Sequence, residues 1–368
     1  MHTVTFFPLG NADTCLFELS NGKFMLFDYA HMRDPNDKDD KRIDLASTLM
    51  KKLEAADRSH FDVVAFTHAD DDHIHGMSEF FYLEHASKYQ GKGRVRISEL
   101  WVPAAVILED GLDDEARILR TEARYRLRQG KGIRVFSRPN RLEEWLKAAN
   151  LNPGDRSHLI TDAGLLIPGI SKEVDGLEFF VHSPFAETSE GSIEDRNEGA
   201  LVFHVTFVIE GTETKMFVIG DTLQEVLSEL VSITRARNRD ERLEWDIYDI
   251  PHHCSYLALN SEKGKKITIP NPEVKWLLDQ GRERCLIVAS SETIPSEETK
   301  MPPHFQAAAC YRQVAAEKNG EFKVTMEHPN TGNPEPIIIT IGKNGHTLLK
   351  RQSGPYIIAS GQPAPRAG

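Results

Sequence analysis

Short apolar runs closed by turn residues recur along the chain, and several end in clusters of histidine and aspartate. Runs at 4–7, 14–19 and 23–27 are separated by Leu9-Gly10-Asn11-Ala12-Asp13 and by Asn21-Gly22. The Asn-Gly step favours a tight hairpin turn, so the chain is expected to open on paired strands. Ile43, Leu49, Met50 and Leu53 share one helical face and predict a helix over 43–55. Residues 61–66 read as a buried strand and 77–89 as a helix with Phe80, Phe81 and Leu83 inward. Further strands are expected at 95–102, 177–182, 201–209, 215–219, 245–250, 285–289, 324–325 and 337–341, with helices at 222–233 and 305–318.

The stretch 104–165 reads differently, as a helical insertion. Leu112, Ala116, Leu119, Ala123 and Leu127 form an apolar stripe, and Asp113, Asp114 and Glu115 suit the first turn of its helix. A neighbouring stripe carries Arg117, Arg120, Arg124 and Arg128, followed by Lys131, Arg134 and Arg138. Two readings stay open: a solvated face partly paired with acids, or a phosphate-binding rim built on the planar donor fork of arginine.

Composition narrows the class. The 368 residues are 40% apolar and 27% charged, enough for one large domain over 1–360, while 361–368 has the make-up of a loose tail. No apolar run approaches the roughly 20 residues that span a bilayer, and the first residues read as a strand rather than a signal peptide. Cys15, Cys254, Cys285 and Cys310 show no paired spacing, so a reduced, cytoplasmic setting is expected. A net charge of −12 argues against non-specific wrapping of duplex nucleic acid.

The candidate chemistry sits where apolar runs stop. His68, Asp70, Asp72 and His73 follow the 61–66 run as an H-x-D-x-D-H array on a strand-to-helix turn. Imidazole nitrogen and carboxylate oxygen are the usual ligands of hydrolytic metal sites, and clustered aspartates repel one another unless a cation lies among them. Asp221 ends the run Phe217-Val218-Ile219-Gly220; taken alone it could equally cap the following helix. His252 and His253 follow Pro251 at the end of another strand. Open α/β architectures collect function at strand ends, which would bring these three clusters together.

In this order the motifs resemble the metallo-β-lactamase superfamily, and within it the soluble hydrolase domain of ComEC-type DNA-uptake proteins and its stand-alone relatives. The residues that carry the resemblance run from Phe6-Phe7-Pro8-Leu9-Gly10-Asn11-Ala12-Asp13 and Phe27-Asp28 through the His68–His73 array. They continue with Leu100-Trp101-Val102-Pro103, Asn197 to Val202, Gly220-Asp221, Pro251 to Ser255 and Met301-Pro302-Pro303-His304. The resemblance implies an α/β fold, an αββα sandwich of two mixed β-sheets flanked by helices. It departs at Ala12, Ala200 and Cys254, where Gly, Ser and Gly are usual. Asn197 stands where many members carry a third-motif histidine; His182, upstream, is the nearest alternative.

Carried over residue by residue, the resemblance implies two divalent metal ions. His68 and Asp70 would hold one; Asp72, His73 and His253 the other; Asp221 would bridge them. His253 is preferred over His252 as the ligand, leaving His252 to orient it or meet substrate. The oxygen-rich first site favours Mn²⁺ or Mg²⁺, with Zn²⁺ in both sites as the alternative. Asp72 would steer a metal-activated water, and His304 would act as phosphate donor or general acid, unless it is a surface histidine ahead of a helix. The expected activity is a phosphodiesterase or nuclease acting on nucleic acid, single-stranded rather than duplex, within a multi-protein system if it is inactive alone. The alternatives are a hydrolase of a small ester, lactone, thioester or cyclic nucleotide, and a non-catalytic regulatory module.

Overall fold

Alternation along the strands sets the layers. In β10 (Thr212–Ile219), Met216 and Val218 pack to one side while Phe217 and Ile219 pack to the other, and all four are buried. Strands buried on both faces belong inside a sandwich with helices outside it. The computed structural model describes residues 1–186 and 196–349; the tail expected at 361–368 lies outside the described residues.

The first sheet contains β1 (His2–Phe6), β2 (Cys15–Glu18), β3 (Phe24–Phe27), β4 (His60–Ala65), β5 (Arg96–Pro103), β6 (Ile133–Phe136) and β7 (Ile160–Thr161) in spatial sequence. The second holds β8 (Leu177–Ser183), β9 (Val202–Ile209), β10, β11 (Trp245–Asp249), β12 (Gly281–Ala289) and β13 (Glu321–Val324). The chain then returns to the first sheet, where β14 (Ile337–Gly342) pairs with β1 and β15 (Gly345–Leu348) forms the edge. Both sheets are mixed: β3 to β7 and β10 to β13 run parallel within their sheets, while the hairpin strands are antiparallel.

Three cores separate the layers. Between the sheets lie Phe17, Phe27, Trp101, Phe179 and Phe203, their ring centroids 4.8–6.4 Å apart in tilted and edge-on pairs. Burying each such ring contributes roughly 1.5–3 kcal/mol. Outside the first sheet, the helices Leu45–Ala55 and Asp114–Gln129 cover Phe61, Val64 and Leu100. Outside the second, Gln224–Ala236, Pro272–Asp279 and Phe305–Glu317 cover Phe217, Tyr248 and Ile287. This is the αββα sandwich.

Two stretches differ from expectation. The helix expected over 77–89 ends at Phe80, and Phe81 instead bridges to Val95. Arg94 bonds the carbonyls of Ser78 and Phe81, and Glu122 accepts the backbone N–H groups of Glu84 and His85, so long-range partners take over the backbone that a helix would have used. The stretch 104–165 is not wholly helical either: β6 and β7 extend the first sheet, and its helices complete parallel crossovers.

Candidate metal centre

The carboxyl ends of β4, β10 and β11 open on one edge of the sandwich, with the turn after β1 beside them. Leu201 N–H donates to the Thr67 carbonyl and Gly220 N–H to that of Leu201, which stitches the two sheets together there. Gly220 is required by this approach: a β-carbon would lie 2.7 Å from Thr67 Cβ.

Three imidazoles converge with their Nε2 atoms turned toward one another's carboxylate neighbours. His73 Nδ1 donates to Asp28 Oδ2 at 2.8 Å, and His253 Nδ1 donates to the Ser290 carbonyl at 2.9 Å. His68 Nδ1 lies 3.1 Å from Thr67 Oγ1, whose own proton goes to Asp28. With Nδ1 tied back in this way, Nε2 is the nitrogen left to meet a cation, the orientation a metal ligand needs once the ring is neutral. His68 Nε2, His73 Nε2 and Asp221 Oδ1 are buried and have no hydrogen-bond partner among the described residues, a costly state unless a cation satisfies them.

The carboxylates close around these atoms. Asp221 approaches His73 Nε2 at 3.2 Å and His253 Nε2 at 3.4 Å; Asp72 lies 3.1 Å from His253 Nε2. Ligand atoms of Asp13, His73, Asp221 and His253 all fall within 4.8 Å of one another, as do those of His68, Asp72 and His73. The residues present fit divalent cations: one group offers two nitrogens and two oxygens, the other two nitrogens and one oxygen.

The electrostatics point the same way. Burial alone would depress His73, but Asp28 and Asp221 outweigh it and raise its pKa well above the usual histidine value. Burial also opposes charge on His253, yet Asp221, Asp13 and Asp72 push it up to about 10. Asp221 is held well below the carboxylate range, against burial, by His253 and His73. Asp13 goes the other way: burial, its largest influence, raises it to about 6 despite both imidazoles. The cluster stabilises positive charge at its centre, whether protons or a cation supply it.

The Pro-His-His loop is held in an unusual shape. His252, His253 and Cys254 have φ of +53°, +50° and +65°, three consecutive residues in the left-handed region. Such backbone is sustained only where surrounding contacts hold it, and it turns His253 inward, 2% exposed, while His252 stays at the opening 3.9 Å from Asp221.

Other residues singled out in the sequence fall around the cluster or away from it. Asp70 is drawn aside: Arg196 donates to its Oδ1 at 2.5 Å and to Glu109, so Asp70 reaches His68 Nε2 only at 3.4 Å. Asn197 is buried on the short turn Arg196–Gly199 beside this pair. His304 is not at the surface: it is 2% exposed, stands at the N-cap position of the helix Phe305–Glu317, accepts from Tyr256 N–H and meets the Tyr256 ring edge-on, fastening the His252–Cys254 turn from behind. His182 is turned the opposite way from a third-motif ligand. Its Nε2 donates to the Arg242 carbonyl and its ring stacks on Phe217, because its position in β8 faces the outer helix Gln224–Ala236.

The arginine stripe is largely occupied. Arg120 donates to the Glu109 carbonyl and Arg124 to that of Ile107, and Arg124 and Arg128 both lie over the Trp145 ring; Arg117 is exposed. Sequence motifs had marked Asp13 and Asp28 without giving either a role, and gave no signal for Arg196 or the Ser290 carbonyl. Only the turn after β1, where Asp13 N–H donates to the Asp72 carbonyl, brings Asp13 into the cluster.

No protein-family model matches the chain, and no curated protein does. Among solved structures it is similar to unliganded yeast PDE1, at 12% identity and a TM-score of 0.42, over 88% of this chain and 96% of that one. It is also similar to a diphosphatase from the PhnP family, at 9% identity and 0.31, over 78% and 85% of the two chains. A further neighbour is the metallo-β-lactamase GOB-18 from Elizabethkingia meningoseptica, at 12% identity and 0.32, over 75% and 88%.

Proposed function

We propose that this chain is a metal-dependent phosphodiesterase that hydrolyses nucleic acid, single strands in preference to duplex. The observation that carries the reading is the set of three imidazoles with Nδ1 anchored and Nε2 aimed at Asp221 and Asp72. Asp13, His73, Asp221 and His253 would hold one divalent cation; His68 and Asp72, with His73 beside them, would hold a second. Bound there, such cations supply a water deprotonated near neutral pH and Lewis acidity toward the phosphoryl oxygens. Mixed imidazole and carboxylate donors suit divalent cations such as Zn²⁺ or Mn²⁺. Asp72, 31% exposed, faces the opening and orients the attacking water through its carboxylate. His252, 20% exposed at the same opening, donates a hydrogen bond to the substrate.

The test is to incubate purified protein with labelled single-stranded DNA and Mn²⁺. Cleavage should disappear in Asp72→Ala and Asp221→Ala with the fold intact by circular dichroism; cleavage that persists in either variant overturns the proposal. A second reading, hydrolysis of a compact ester such as a cyclic nucleotide, is favoured by one observation: Arg120 and Arg124 direct their donors at the chain's own carbonyls. Turnover of a cyclic nucleotide with no cleavage of DNA would select it.

A further inference from the structure

A second cavity, of about 390 Å³, shares no residue with the metal centre. It lies between the ends of β6 and β7, the outer face of β8 and the helix Gln224–Ala236, and its size is that of a small-molecule site. The motif residue His182 lines it.

Three buried polar atoms on residues that line this space lack hydrogen-bond partners among the described residues: Ser137 Oγ, Arg138 Nε and Asp162 Oδ1. Ser137 is only 1% exposed, and its φ of +79° is uncommon for a residue with a side chain. Its N–H is spent on the Thr161 carbonyl, so the hydroxyl alone remains to be satisfied. Leaving such a group buried and unpaired costs about 1–3 kcal/mol. Arg138 and Asp162 stand 3.7 Å apart, too far for a hydrogen bond between them.

The charge is locally positive in an acidic protein. Arg138, Arg237 and Arg239 line the cavity against Asp162 and Glu229, whereas the chain as a whole carries −12. Arg239 Nη1 donates to the Gly164 carbonyl and Arg237 lies alongside Gly164, neither paired with a carboxylate among the described residues. Phe180, Phe185 and Ile233 supply an apolar wall. Planar guanidinium groups beside aromatic rings suit a ligand that joins an anion to a flat body.

We infer that this cavity binds a nucleoside monophosphate: a phosphate monoester for the arginines and Ser137, a hydroxyl or amino donor for Asp162, and a flat ring against Phe180. The site is independent of the metal centre and of the reaction assigned to it. The probe is AMP, titrated calorimetrically into the full chain in the presence of EDTA, with adenosine and ribose 5-phosphate in parallel. AMP should bind with a Kd of about 1 mM or tighter, and both truncated ligands at least about tenfold more weakly. The exposed pair Arg237→Ala/Arg239→Ala should weaken AMP at least about tenfold with an unchanged melting curve, and Ser137→Val should weaken it as well, while Asp221→Ala leaves it within about twofold. No binding at about 5 mM, equal binding of adenosine and AMP, indifference to the arginine pair, or loss in Asp221→Ala would each overturn the inference.

Discussion

Asp28 has no contact with the cleft, yet it sets the direction of two ligands. Its oxygens accept from Thr67 N–H, Thr67 Oγ1 and His73 Nδ1, all at 2.7–2.8 Å, and its own backbone sits at φ +56° to do so. Removing it frees the His73 ring to rotate and to exchange tautomers, so Asp28→Ala should weaken metal binding about 10–100-fold, read by competition with a chromophoric chelator. Affinity within a factor of two of the parent would show that the ring is held by packing alone. Asp28 and Asp13 also mark where sequence reading stops. His68, Asp72, His73, Asp221 and His253 are legible because they cluster with other ligand types at the ends of apolar runs, whereas Asp28 and Asp13 stand alone and their roles exist only through partners 39 or more positions away. His182 shows the converse. A histidine at a strand end looks like a ligand, but side chains alternate across a strand, and this one faces outward. Burial holds its pKa down to about 4 from an ordinary 6.5. The unfolded chain therefore takes up a proton below pH 6.5 that the folded protein refuses until about pH 4. Stability should fall across that window by up to about 3 kcal/mol from this group, and be flat above it. His182→Gln should flatten the decline in urea midpoints between pH 6.5 and 4; an unchanged slope would rule the assignment out.

Among the elements, the helix Asp114–Gln129 shows why a correct periodicity leaves function undecided. Its apolar stripe, Ala116, Leu119, Ala123 and Leu127, packs where the spacing places it. Glu122 and Arg126, off that stripe, are buried as well, at 0% and 2% exposed, and joined at 2.7 Å. Arg126 also donates to the carbonyls of Ile97 and Gly132, and Glu122 accepts from Glu84 N–H, His85 N–H and the His85 ring. The pair thus pins the segment that leaves the metal-site turn to the strand β5 and the end of the helix. Helical spacing sets Arg126 beside the apolar stripe, seven positions after Leu119, but a single sequence does not show its partners, since the carbonyls it meets come from other elements. Breaking the pair strands a buried charge, so Arg126→Ala and Glu122→Ala should each cost about 3–5 kcal/mol in denaturant unfolding. Burial would raise Glu122, but His85 and Arg126 outweigh it and lower its pKa to about 2 from 4.5. Its contribution is therefore complete above pH 4.5 and is lost as pH falls toward 2.

For the whole molecule, the decisive feature is that the candidate metal ligands come from both sheets. Asp13, His68, Asp72 and His73 follow strands of the first, and Asp221 and His253 follow strands of the second. Many of the strands and helices could be read from apolar runs and turn signals, the sandwich itself only from the family resemblance of the ordered motifs, and the return of β14 to the first sheet closes it around the N-terminal strand. A cation at this edge joins the two halves at the point where Asp13, Asp72 and Asp221 otherwise repel one another. Binding to the folded state alone stabilises it by mass action, by about 2.7 kcal/mol at a hundredfold excess over Kd. For a chain of this size that corresponds to a rise in Tm of roughly 3–4 °C. Mn²⁺ or Zn²⁺ added to EDTA-treated protein should give that rise, and Asp221→Ala, which removes the ligand between His73 and His253, should abolish most of it. Asp70→Ala should keep most of the rise, because Asp70 is already committed to Arg196. Equal loss in the two variants would mean that Asp70 leaves Arg196 when metal enters, and a rise untouched in Asp221→Ala would place the stabilising ion elsewhere.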